Sequence, residues 1–542
     1  MRLNIFKITI FITNQNSFKL IEKTSKDLSQ FHLDLEKKYG AHDYHPLPVV
    51  LEKGEGVFMW DVNGKKYYDF LSAYSAVNQG HCHPELVSLI KNQAETLTLT
   101  SRAFHNNKLG EYMEFATKLF GFDQLLPMNT GAEGVETSIK LSRKWGYLKK
   151  KVDENQAKIV VCNNNFHGRT TTVISFSTDP GSKDFFGPHT PGFIHIPHGE
   201  ISALENEFKK DKNIVAFLVE PIQGEAGVNV PEPEYLKKVR SLCSEYHVLM
   251  IADEIQTGLG RTGSLLASCG NCSCESSCEQ QSTYVRPDIL ILAKALSGGT
   301  YPISAVLCDS EIMEVIQPGQ HGSTFGGNPF AASIAKKALE IIIDEKLAQN
   351  ARVLGEIFRS EMNKYIKSSK IVKLVRGKGL LNAIVINDSE DSQTAWNICL
   401  KLRDNGLLAK PTHGNVIRFA PPLVMTEDQL YDCISIITSS LGKYILSRDS
   451  ILPEIRPINF KNKSNVKSNK TLRLRIKDDK SGIKNYKAYI NGKWALFEYE
   501  PKQNLIFHNL SDSVIEDGEN DLLIEFEDGV GNKQTYNTII YY

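Results

Sequence analysis

The stretch Ile289-Leu-Ile-Leu-Ala-Lys294-Ala-Leu-Ser-Gly-Gly299 decides how this 542-residue chain is read. An apolar run without polar alternation predicts a strand buried on both faces, as in a parallel sheet covered by helices. The run ends in one lysine, and a turn of small residues follows. Ligands of open α/β sheets bind outside the carboxyl ends of the strands. A lysine desolvated there can lose its proton and attack a carbonyl to form a Schiff base. A lysine that merely leaves the sheet for solvent gives the same local sequence, so Lys294 needs support from elsewhere.

Two stretches supply it. Val248-Leu-Met-Ile-Ala-Asp253-Glu-Ile-Gln256 is a second buried strand, and it ends in a carboxylate. Asn129-Thr-Gly131-Ala132-Glu-Gly-Val-Glu-Thr-Ser-Ile-Lys140 is a small-residue loop that enters a helical pattern. Free N–H groups at such a helix start hold phosphate. A Schiff-base lysine, a carboxylate for a pyridine nitrogen and a phosphate cradle are the requirements of pyridoxal phosphate.

Further motifs occur in order along the chain: Gly40-Ala-His-Asp-Tyr44, Tyr74-Ser-Ala-Val-Asn-Gln-Gly-His-Cys-His-Pro84, Phe166-His-Gly-Arg169, Val219-Glu-Pro-Ile-Gln-Gly-Glu225, His321-Gly-Ser-Thr324-Phe-Gly-Gly and Ile417-Arg418-Phe-Ala-Pro-Pro-Leu423. With these the chain resembles the class III, fold type I pyridoxal-phosphate aminotransferases from about residue 28 to about residue 444. Within that family it is most similar to the ornithine-acting branch. The resemblance implies a large doubly wound, mostly parallel sheet domain with a smaller α/β domain. It also implies a homodimer with shared active sites, and transfer of the δ-amino group of L-ornithine to 2-oxoglutarate. Acetylornithine or 4-aminobutyrate as substrate is the alternative within the family. An inactive body carrying a C-terminal binding module is the alternative outside it.

The resemblance also implies individual roles. Lys294 would carry the cofactor aldehyde and later move the proton. Asp253 would pair with the ring nitrogen, Phe166 would stack on the ring and Gln256 would reach the ring hydroxyl. Gly131 and Ala132 would hold the phosphate, with Thr324 contributed by the neighbouring subunit. Tyr44 and Tyr74 would orient the amino-acid end of ornithine, and Arg169 and Arg418 would clamp carboxylates bidentately. Glu225 would neutralise Arg418 for one substrate and release it for the other.

Composition is consistent with an enzyme of several domains. Lys+Arg 63 balances Asp+Glu 63, which gives no global field for nucleic acid or an anionic membrane. No apolar run is long enough to span a bilayer. Residues 1–12 hold a short apolar pattern interrupted by Lys7, without the small-residue cleavage site of an export signal. The ten cysteines are not spaced as a disulfide framework, so a reducing, cytoplasmic setting is expected.

The expected organisation is an extension over 1–27, an N-terminal part of the small domain over 28–85, the large domain over 86–335 and the rest of the small domain over 336–445. A lysine- and asparagine-rich linker is expected over 446–470. An antiparallel β-sandwich follows over 471–542, its strands alternating apolar and polar around turns such as Asn491-Gly492. This sandwich resembles immunoglobulin-like modules by pattern alone. An insertion carries Cys269, Cys272, Cys274 and Cys278 within ten residues. Four thiolates that close can hold one structural zinc.

Overall fold

The structure is a computed structural model that describes residues 25–269, 284–442, 452–478, 482–500, 503–511, 514–529 and 531–542. The chain forms two compact units, the first covering Met1–Glu390 and Thr394–Lys443 and the second Asp391–Gln393 and Tyr444–Tyr542.

The first unit is built on a seven-stranded sheet. Lys158–Cys162, Ile214–Val219, Leu249–Asp253 and Ile289–Leu292 form its centre, in the spatial order 158–162, 214–219, 249–253, 289–292, all parallel. Every residue of Ile214–Val219, Leu249–Asp253 and Ile289–Leu292 is buried, the pattern expected of strands with helices on both faces. Two further strands form the edges of the sheet. Phe193–Ile196 extends one edge in parallel. Gln124–Met128 forms the other edge, where Pro127 is tolerated because an edge strand has N–H groups with no ladder partner to serve. Ser304–Cys308 runs antiparallel to both its neighbours, so the sheet is mostly rather than wholly parallel. Asp253 and Lys294 both follow the carboxyl ends of adjacent parallel strands, which brings them to one crevice.

The smaller domain holds an antiparallel sheet of Val372–Lys378, Leu381–Ile386, Val416–Phe419 and Lys410–His413. The N-terminal strands Leu51–Glu55, Phe58–Asp61 and Lys66–Asp69 form a meander, and Leu407–Leu408 pairs in parallel with the last of them. Asp61–Gly64 turns the chain between two of these strands, with Asp61 Oδ1 accepting from the amides of Asn63 and Lys65. The polar helical pattern near the N-terminus is the helix Ser25–Tyr39, which begins inside the region expected to be an extension.

The insertion leaves and re-enters the first unit at a closed stem. Ser268 O accepts from Val285 N at 2.9 Å. Below it the buried Glu254 carboxylate accepts from Ser268 N at 2.8 Å, Ala267 N at 3.1 Å and the Thr257 hydroxyl at 2.5 Å. Cys269 is fully buried at this stem. Cys272, Cys274 and Cys278 lie outside the described residues. Among the described residues no group of His, Cys, Asp or Glu side chains is arranged to hold a metal ion, so the expectation of zinc gains no support.

The second unit is a sandwich of a four-stranded and a five-stranded sheet. Its strands alternate as expected: Thr471–Lys477 buries Leu472, Leu474 and Ile476 and exposes Arg473, Arg475 and Lys477. Glu519–Asp528 buries every second residue likewise. The inward residues of both sheets share one core. The linker expectation is corrected here. Glu454–Pro457 pairs with Thr471–Lys477 in one sheet, and Ser464–Asn465 pairs with the C-terminal strand in the other. Phe460 and Val466 are buried in the shared core. The abundance of lysine and asparagine masked these apolar anchors, spaced for two short edge strands.

Candidate active site

Lys294 is the first residue of a single turn, Lys294–Ser297, that follows the Ile289–Leu292 strand. Its φ is 46°, a left-handed backbone conformation that costs a non-glycine residue of order 1–3 kcal/mol and is held only where the surroundings enforce it. Gly298 and Gly299 continue with positive φ, so the chain turns sharply and the lysine is left aimed into a cavity of about 210 Å3. Burial pushes its ammonium down to about 8, against the opposing charge of Glu225. A lysine so placed is partly neutral near neutral pH, as a nucleophile and base must be.

The cavity floor is a cluster of buried titratable groups. Asp253 Oδ2 meets His167 Nδ1 at 2.6 Å, with both side chains almost wholly buried. The other Asp253 oxygen accepts from Ile255 N at 3.1 Å. Burial works against a charged His167, but the hydrogen bond and charge of Asp253 prevail and raise its pKa. Its Nε2 is buried without a hydrogen-bond partner. Glu220 lines the same cavity, and its Oε2 accepts from Phe166 N at 3.1 Å. Burial pushes Glu220 up to about 8.

One wall is the start of the helix Gly131–Trp145. Thr130 and Glu133 form a reciprocal cap in which Thr130 Oγ1 accepts from Glu133 N at 3.2 Å and Glu133 Oε2 accepts from Thr130 N at 2.7 Å. The amides of Gly131 and Ala132 are left without a protein acceptor among the described residues. A Cβ on Gly131 would come within 2.9 Å of Ile255 Cδ1, so glycine keeps the cradle open. These features fit pyridoxal phosphate. Phosphate suits two free amides at a helix start, a pyridinium suits Asp253 braced by His167, an aldehyde suits Lys294, and the partly exposed Phe166 ring forms a face of the cavity.

Beyond this floor lies a charge pair. Arg418 Nη1 donates to Glu225 Oε1 at 2.7 Å and to Gln256 Oε1 at 3.3 Å, and Gln256 Nε2 donates to Glu225 Oε1 at 2.9 Å. Burial alone would raise the pKa of Glu225, but the charges of Arg418 and Lys294 overcome it and hold the carboxyl at about 2. The Arg418 guanidinium also sits 5.2 Å from the centre of the Tyr74 ring. Tyr74 itself is held at φ 61°, within a run of four positive-φ residues, Ser72–Ser75.

The structure thus brings together Gly131, Ala132, Phe166, Glu225, Asp253, Gln256 and Lys294 around one cavity, with Arg418 against Glu225 and Tyr74 against Arg418. Arg169 stands at the rim, its guanidinium 5.5 Å from the Phe166 ring and its side chain 60% exposed. Tyr44, 71% exposed, and Thr324, also exposed, do not line the cavity. His167 and Glu220 were not singled out from sequence. Both lie inside quoted motifs, and the signal available was an ionisable residue beside a predicted buried strand end.

Comparison with known proteins agrees with this geometry. The chain is 60% identical over 406 residues to "Ornithine aminotransferase, mitochondrial" of Drosophila melanogaster, covering 75% of this chain and 90% of that protein. A solved acetylornithine aminotransferase from Elizabethkingia anophelis is 60% identical with a TM-score of 0.70, covering 77% of this chain and 99% of that one. A solved ornithine aminotransferase from Toxoplasma gondii is 46% identical with a TM-score of 0.73, covering 78% and 95%. The family model described as aminotransferase class-III matches residues 39–441, which contain every residue of the cavity, and the chain therefore belongs to the class III aminotransferases, enzymes that work with pyridoxal phosphate.

Proposed function

We propose that this chain is an ornithine δ-aminotransferase, converting L-ornithine and 2-oxoglutarate to glutamate 5-semialdehyde and glutamate. The observation that carries the reading is the Glu225–Gln256–Arg418 cluster beside Lys294. One site must accept a cationic diamino acid by its δ-amine and then a dicarboxylate by its keto group. With Glu225 paired, Arg418 is neutralised and does not compete for the first substrate's carboxylate. With Glu225 turned away, Arg418 offers a bidentate fork to the second.

Bound in the cavity, pyridoxal phosphate supplies a carbonyl that takes up the amino group and a ring that stores negative charge. Gly131 and Ala132 hold the phosphate with their amides. Asp253, braced by His167, holds the ring nitrogen protonated. Lys294 Nζ, largely desolvated, takes the proton from the amino-bearing carbon of the substrate and returns it. Phe166 excludes water from one ring face. Tyr74 and Tyr44 place the amino-acid end of ornithine, Arg169 holds a carboxylate at the rim, and Thr324 reaches the phosphate of a second subunit in a homodimer. The chain works in the cytoplasm, a setting supported by unpaired thiols at Cys82, Cys162, Cys243, Cys308, Cys399 and Cys433.

The second reading, an acetylornithine aminotransferase, is favoured by the name of the Elizabethkingia anophelis structure. Steady-state turnover of L-ornithine and N-acetylornithine with 2-oxoglutarate separates the two. Acetylation removes the α-ammonium charge, so a preference for the acetylated donor would displace ornithine as substrate.

A further inference from the structure

Glu220 and Glu225 lie on one loop and line one cavity, yet only one of them has a cation. Glu225 is bound to Arg418. Among the described residues Glu220 has no salt bridge, is 8% exposed, and accepts one hydrogen bond, from Phe166 N at 3.1 Å. A buried carboxylate needs a counter-charge or several donors to stay ionised.

The charges around Glu220 do not supply one. Asp253 and Glu225 face it as anions from the neighbouring strand end and from its own loop. His167 acts on it through space as a positive charge, but its Nδ1 is committed to Asp253 at 2.6 Å. Lys294 acts on it only through space, from the strand end beyond that of Asp253. His198 meets the Glu220 backbone carbonyl at 3.3 Å, not its carboxyl.

We propose that Glu220 is held as an uncharged carboxylic acid that offers its O–H to the cavity as a hydrogen-bond donor, leaving Asp253 as the anion of the floor. The inference rests on the reading of this cavity as a pyridoxal-phosphate site. A neutral Glu220 avoids placing an uncompensated carboxylate beside Asp253, which would weaken the cavity's hold on any anionic cofactor or substrate. A midpoint of about 8 for Glu220 agrees with this. Above it, the donor becomes an anion. The free Lys294 ammonium is pushed down to about 8 as well, so before the lysine takes up the cofactor the two groups titrate over one pH range and share their apparent steps.

The test is infrared difference spectroscopy on the full-chain holoenzyme, titrated from about pH 6 to about pH 10 to bracket that midpoint. The expected result is a protonated-carboxyl C=O band at the acid end that is lost on alkalinisation, shifts on 13C-glutamate labelling and is absent in Glu220→Gln, which separates it from any band of the buried Glu254. In that variant the visible absorbance of bound cofactor should also lose one of its titration steps. No protonated-carboxyl band at the acid end, or a band that does not move on glutamate labelling, would overturn the inference in the unmutated protein, whatever the folding of the variant. The same band and steps in Glu220→Gln would overturn it too. A wild-type protein with no visible cofactor absorbance would instead overturn the reading of the cavity itself.

Discussion

The two units of the chain use β-structure in opposite ways. In the second unit each strand alternates, apolar side chains go to one core, and the non-glycine residues at positive φ among those described are Lys463, Asn491 and Asn504. Asparagine tolerates that conformation in turns at little cost. In the first unit the strands Ile214–Val219 and Ile289–Leu292 are apolar throughout, and non-glycine residues at positive φ occur in many loops, among them Cys82, Lys151, Val228, His247 and Lys346 as well as those at the cavity. Lys294 and Ser72–Ser75 hold left-handed backbones, and Asp253, His167 and Glu220 are buried ionisable groups. Local consistency gives a stable fold, and chemistry sits where that consistency is broken and the surroundings enforce it.

The largest effect comes from Lys294, a buried residue with a left-handed backbone at the cavity. Lys294→Ala should lower transamination at least about 1000-fold, because both the covalent anchor and the proton carrier are lost. Steady-state turnover and the visible absorbance of bound cofactor check it, and near-normal turnover would break the comparison. Glu225→Ala should act differently on the two half-reactions. With Arg418 permanently free, the ratio of single-turnover rates for glutamate over ornithine should rise roughly tenfold, a difference of about 1.4 kcal/mol. Equal changes for both donors would remove the proposed gate.

A smaller effect concerns stability. Glu220 keeps its proton in the folded chain up to about pH 8, whereas an exposed carboxyl loses its proton near 4.5. Between those values the unfolded state binds fewer protons than the folded state, so stability falls as pH rises. Wild type should therefore lose a few degrees of Tm relative to Glu220→Gln between about pH 5 and about pH 8, measured by calorimetry on the full chain. Parallel curves would show that Glu220 is not protonated in the fold. The smallest effect sharpens the contrast from the other side. A chain ending at Lys443 should keep cofactor and turnover within about twofold, since no residue of the cavity lies beyond it.

Much of this was legible from sequence, for physical reasons. Buried parallel strands announce themselves as apolar runs, so Ile214–Val219, Leu249–Asp253 and Ile289–Leu292 were readable within a residue or two. Gln124–Met128 was not, because Pro127 argues against a strand unless the strand is known to lie at an edge. The direction of Ser304–Cys308 was hidden, since a strand buried on both faces reads alike either way. Lys294, Asp253 and the Glu225–Arg418 pair were legible through their motifs. Glu220 and His167 were not, because their importance lies in what surrounds them: an unpaired carboxyl and an imidazole bound to Asp253 are properties of packing.

The stem of the cysteine-rich insertion has a practical consequence. Ser268 and Val285 meet across a 2.9 Å hydrogen bond, and Glu254 fastens the strand side of that junction from the position next to Asp253. Both ends of the intervening segment are therefore fixed at one point by the body of the protein. Closing a longer or shorter loop between fixed ends costs little, since the entropy grows only with the logarithm of length. The junction is a ready-made splice point, where a peptide tag, a reporter domain or a ligand-responsive module could be grafted, tied to the cavity through Glu254, the chain neighbour of Asp253.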